Sequence, residues 1–106
     1  MINESKLKQI AALIGIAANA ERVVLFGSHA RGEANENSDV DLMIIADSNL
    51  PRFKRSRKLY TLLKPYPFAM DLLVFTPQEV EKGKRSHVTF ISMILKEGKT
   101  LYVRRD

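Results

Sequence analysis

A chain of 106 residues, 45% of them hydrophobic and none a cysteine, has material for one folded core and excludes disulfides and thiolate zinc sites. Its 17 basic and 12 acidic residues leave a net charge of +5, which favours anionic partners, although a solvated basic surface accounts for the charge by itself. No apolar run approaches the ~20 residues that span a bilayer, and the polar start from Met1 to Ser5 is unlike a signal peptide, so the expectation is a cytoplasmic protein without membrane contact.

In chain order, Leu7, Ile10, Ala11, Ile14, Ala17 and Ala18 form a helical stripe capped near Asn3 or Ser5, with Gly15 weakening it slightly. Val23 to Phe26 reads as a strand buried on both faces and ended by Gly27. Residues 28–37 are small and polar and suit a loop with one helical turn. Val40 to Ile45 is a second strand. Pro51 opens a helix running to about Leu63, with Phe53, Leu59, Leu62 and Leu63 inward and the Arg52 to Lys58 basic cluster outward. Phe68 to Phe75 is a third strand, and Thr76-Pro77 caps a short helix broken at Gly83. Ser86 caps a last helix that stops at Gly98, and Leu101 to Val103 adds a terminal strand. The expected architecture is one domain over residues 1–106, an α/β (α+β) fold with a small mixed sheet of three to four strands and helices on one side.

The chemistry concentrates in Phe26 to Ile45, FGSHARGEANENSDVDLMII. Glycine at Gly27 lets the backbone turn sharply after a strand, and Ser28 with the neighbouring N–H groups suits phosphate oxygens. Asp39 and Asp41 are two residues apart and project from the same face of a strand. At ~6 Å and an effective dielectric of ~20, their unscreened repulsion is on the order of 3 kcal/mol, and a divalent cation converts that repulsion into binding. Asp71 lies inside the apolar strand FAMDLLVF, where a carboxylate needs a partner or an outlet to water. An ordinary turn, a solvated acidic pair and a sheet-end aspartate explain the three features taken singly. If the second and third strands are neighbours, the three carboxylates form one oxygen-rich site for Mg²⁺. With His29 and His87 far apart in sequence, a histidine zinc site is not expected.

Gly27-Ser28, ten residues, Asp39-Val40-Asp41, and then Asp71 in the passage MDLLVFTPQEV resemble the minimal nucleotidyltransferases of the DNA polymerase β superfamily. The resemblance covers nearly the whole chain and implies the polymerase β palm-like fold. It implies that Gly27 and Ser28 hold a nucleoside triphosphate, with ATP as donor by analogy. It further implies that Asp39, Asp41 and Asp71 bind two Mg²⁺ ions and that a nucleoside monophosphate is transferred. Arg31 reads equally as a partner for the β- or γ-phosphate and as an exposed loop charge.

Many members resemble antitoxins paired with a HEPN-domain ribonuclease toxin, and this implies AMP transfer to a tyrosine of such a partner. The chain carries little beyond the catalytic core, so the acceptor is expected to bring its own binding surface. Alternatives from other classes are an antitoxin that acts by occlusion without catalysis and transfer to a small molecule such as an aminoglycoside, for which a homo-oligomer builds the pocket. A nucleic-acid module is supported by net charge alone and is not favoured.

Overall fold

The computed structural model describes residues 2–86 and 89–105, so His87 lies outside the described residues. Helix α1 spans Glu4–Ala18, and Asn3 is its cap, its side chain accepting from Lys6 N at 2.7 Å. Strand β1 is Arg22–Phe26, followed by a single turn of helix, α2, at Ser28–Arg31. Strand β2 is Val40–Ile45 and strand β3 is Met70–Phe75. Helix α3, Arg57–Leu62, lies between them. Helices α4, Pro77–Gly83, and α5, Phe90–Glu97, lead to strand β4, Lys99–Val103.

The four strands form one mixed sheet in the order β3-β2-β1-β4. Strand β1 runs antiparallel to β2 and β4, whereas β2 and β3 are parallel. Alternation along the strands divides the core into two layers. Val23, Leu25, Val40, Leu42, Ile44, Leu72 and Val74 pack against α1 and α3. Val24, Phe26, Met43, Ile45 and Phe75 pack against α4 and α5 through Val80 and Ile94. Helices therefore cover both faces of the sheet, not one, because the central strands β1 and β2 are apolar on both sides and each side needs a cover. Gly15 is a packing residue rather than a weak point, since a Cβ there would collide with the Tyr102 ring of β4.

The helix expected from Pro51 to Leu63 is broken into a 3₁₀ turn at Arg52–Lys54 and α3. Phe53 is 72% exposed and Leu62 is 49% exposed, so neither joins the core as expected. The break places Arg55 over the outer edge of β3. Its guanidinium donates to Leu50 O at 2.9 Å, to Val74 O at 3.2 Å and to Glu79 Oε1 at 2.6 Å. The Tyr60 hydroxyl accepts from Leu72 N at 2.9 Å and lies 3.4 Å from Met70 O, to which it donates. Side chains thus satisfy backbone groups on an edge strand that would otherwise invite pairing. Arg52 also pairs with Glu79 at 3.4 Å and sits 5.0 Å from the centre of the Phe75 ring, so part of the basic cluster is built into the fold.

Thr76 and Glu79 form a reciprocal capping box at the start of α4, and Pro77 fits the first turn. The last helix is capped by Thr89, which accepts from Ser92 N at 3.0 Å, and not by Ser86 as its sequence position suggested. Hydrogen bonding to Arg55 pulls the Glu79 carboxyl from its ordinary 4.5 to about 2. A depressed folded-state value means the stabilisation is complete above about pH 4.5 and is lost as pH falls toward 2. In urea titrations, Glu79→Gln is therefore expected to be less stable than the native chain at neutral pH. That difference should shrink steadily between pH 4.5 and 2, and a pH-independent difference would contradict the pairing.

Candidate functional site

The antiparallel β1–β2 pairing places the end of β1 beside the start of β2, with Phe26 opposite Asp41. The parallel β2–β3 pairing places the start of β3 at that same end, with Asp41 opposite Asp71. Residues in register project to the same side, so Asp41 and Asp71 share the face that carries Met43, Ile45 and Phe75 farther along. Asp39 precedes β2 by one residue and, by alternation, belongs to the same side. The three carboxylates foreseen in the sequence therefore share one face at one end of the sheet. Asp39 and Asp71 are exposed and Asp41 is half-buried, so Asp71 escapes the burial penalty by lying at the strand's entrance.

Gly27 ends β1 with φ 75° and ψ −156°, a backbone conformation that disfavours a side chain. The space is also taken, because a Cβ on Gly27 would fall on Asp41 Oδ2. The glycine thus serves both the turn and the close approach of the carboxylate. Ala30 N and Arg31 N both donate to Gly27 O at 3.1 Å, which starts α2 directly after the turn. The ten residues between Gly27-Ser28 and Asp39 are a built loop. His29 Nε2 donates to Ser38 O at 3.3 Å, and Ser38 Oγ accepts from Asn35 N at 3.0 Å. Asn35 Oδ1 in turn accepts from Asn37 N at 2.8 Å. His29 accordingly ties α2 to the entrance of β2.

Burial pushes the Asp41 carboxyl up from its ordinary range, and the charges of Asp71 and Asp39 push it further, with His29 and Arg31 opposing. Mutual repulsion is a sign that the three groups lie within electrostatic reach. Among the described residues no three acidic or histidine side chains form a finished metal cage. Carboxylate oxygens on one face are the hard donor type that divalent ions such as Mg²⁺ take.

Arg31 donates through Nε to Glu33 Oε1 at 2.8 Å and through a terminal nitrogen to Glu97 Oε1 and Oε2 at 3.3 and 3.4 Å. Glu97 Oε1 also accepts from Gly27 N at 3.3 Å. Glu97 escaped the sequence reading. It stands at the end of α5, 66 residues from Arg31, and nothing in its neighbourhood distinguishes it from any acidic residue before a helix-ending glycine.

The sequence profile described as "Polymerase beta, Nucleotidyltransferase" matches residues 8–106. A candidate protein adenylyltransferase of Methanocaldococcus jannaschii is 34% identical over 83 residues, which cover 77% of this chain and 78% of the relative. A second of the same description from that organism is 39% identical over 54 residues, 51% of this chain, and the chain spans only 54% of that relative's length. Among solved structures, a candidate nucleotidyltransferase from Sulfolobus solfataricus aligns with a TM-score of 0.65 at 19% identity, over 95% of this chain and 80% of that one. A toxin–antitoxin structure with AMP-PNP aligns with a TM-score of 0.57 at 24% identity, over 98% of this chain and 76% of the other. At these identities the solved structures establish a shared fold.

Gly27→Ala is the sharpest perturbation of this end of the sheet. It is expected to destabilise the chain by about 1–3 kcal/mol in urea unfolding, from the positive φ and the displaced Asp41 carboxylate together. A loss near that of Gly32→Ala, whose φ is 73° but whose Cβ meets nothing within 4 Å, would mean that the contact with Asp41 contributes little.

Proposed function

The chain belongs to the polymerase β nucleotidyltransferase family, and from that premise we propose that it transfers AMP from ATP to a hydroxyl of a protein partner, a tyrosine of a HEPN-domain toxin, thereby acting as an antitoxin. The observation that carries this reading is the in-register placement of Asp41 and Asp71 beside the Gly27 turn. Relatives named as protein adenylyltransferases support a protein acceptor, and the toxin–antitoxin structures that share the fold motivate the choice of partner.

In this reading Gly27, Ser28 and Arg31 bind the β- and γ-phosphates, Arg31 through a planar guanidinium that matches phosphate oxygens. Asp39, Asp41 and Asp71 would hold two Mg²⁺ ions, and the Asp41 carboxyl, pushed up by burial and by the charges of Asp71 and Asp39, fits that role. Mg²⁺ held by these carboxylates would supply a lowered pKa for the attacking hydroxyl and charge neutralisation for the departing pyrophosphate. The acceptor oxygen forms a bond to the α-phosphorus, the bond from that phosphorus to the bridging oxygen breaks, and pyrophosphate leaves in line. Asp71, exposed at the start of the edge strand β3, is the member of the group assigned to accept the proton of the incoming hydroxyl. In this reading residues 1–106 act as a single catalytic domain.

Incubating the chain with Mg²⁺, all four nucleoside triphosphates and a co-expressed HEPN-domain partner, followed by mass spectrometry, should show the partner gaining one AMP on tyrosine. The doubly substituted Asp39→Ala, Asp41→Ala chain should still bind the partner while transfer falls on the order of a thousandfold or more. Intact neutralisation of the partner by that variant would instead assign the role to occlusion.

A further inference from the structure

We propose that Glu97 is an internal occupant of the phosphate cradle, an acidic side chain that holds the triphosphate-binding groups in the free protein and must leave when nucleotide enters. The inference rests on the assignment of Gly27 and Arg31 to phosphate binding. Gly27 stands between two carboxylates, with Asp41 against its α-carbon side and Glu97 on its N–H. The same Glu97 accepts from the terminal nitrogen of Arg31 through both oxygens. A carboxylate that bridges a backbone N–H and a guanidinium reproduces the contacts of a phosphate group.

Three features mark the contact as displaceable. All its hydrogen bonds are 3.3–3.4 Å, at the long end of the range, while Arg31 keeps a 2.8 Å bond to Glu33. The Glu97 side chain is 29% exposed, so water can receive it. Glu97 is also the last residue of α5, where a negative charge meets the negative end of the helix, so the helix itself gives the carboxylate no reason to stay. Gly27 N–H and the Arg31 nitrogen cannot serve a carboxylate and a triphosphate at once, and two anions at that separation repel. Nucleotide binding therefore includes expulsion of Glu97, and the acid sets the affinity for the donor.

The test is calorimetric binding of α,β-methylene ATP with Mg²⁺ to the native chain, Glu97→Gln and Glu33→Gln. Glu33→Gln removes an equal charge from beside Arg31 without touching Gly27, and so measures the general electrostatic gain. Glu97→Gln is expected to tighten binding on the order of tenfold, and Glu33→Gln by less than about threefold. Equal gains from the two variants, or weaker binding by Glu97→Gln, would overturn the internal-occupant role while leaving the phosphate cradle in place. Absence of binding by all three proteins would remove the cradle assignment and this inference with it.

Discussion

The pairing of β2 with β3 in parallel register is the constraint on which the site depends. It sets Asp41 beside Asp71 on the sheet face covered by α4 and α5. A slip of one residue would turn Asp71 to the opposite face and bring Met70 or Leu72 in its place. Because β1 runs antiparallel to β2, its end meets the start of both other strands. The glycine turn and the carboxylates therefore meet without a long excursion of chain. Placing like charges together opposes folding, and the apolar residues farther along the same strands, Met43, Ile45, Leu73 and Phe75, hold the pairing against that repulsion.

Strand β3 is at the sheet's edge, so its register also needs support from outside the sheet. The support comes from Arg55 and Tyr60, which occupy backbone groups of Met70, Leu72 and Val74. Arg55 continues to Glu79 and so joins the segment before α3, the Val74 carbonyl near the end of β3 and the start of α4 in one unit. The position of Asp71 thus depends on residues outside the proposed site. Gly27 shows the same economy on the other side of the site, since one residue without a side chain serves a turn and a close contact.

What was legible in the sequence was local. Alternation along Val40 to Ile45 placed Asp39 and Asp41 together, and the apolar run around Asp71 identified the strand that carries the third carboxylate. The Gly-Ser turn was legible because only glycine suits its backbone, and the Thr76-Pro77 cap because its chemistry is complete within four residues. Features made by distant partners were not legible. Glu97 meets Gly27 and Arg31 only through the packing of α5 across the sheet. Arg55 read as one charge among five, because its carboxylate and carbonyl partners come from later in the chain. The coverage of both sheet faces was missed because Val80 and Ile94 are apolar residues that suit either side equally.

The shared carboxylate site is tested most directly by anomalous diffraction from crystals grown with Mn²⁺ and α,β-methylene ATP. Anomalous density between Asp41 and Asp71, within coordination distance of both and with Asp39 on the same ion pair, is the expected result. Manganese held by the triphosphate alone, with Asp71 outside coordination distance, would show that strand register brings the two aspartates together without making them one site.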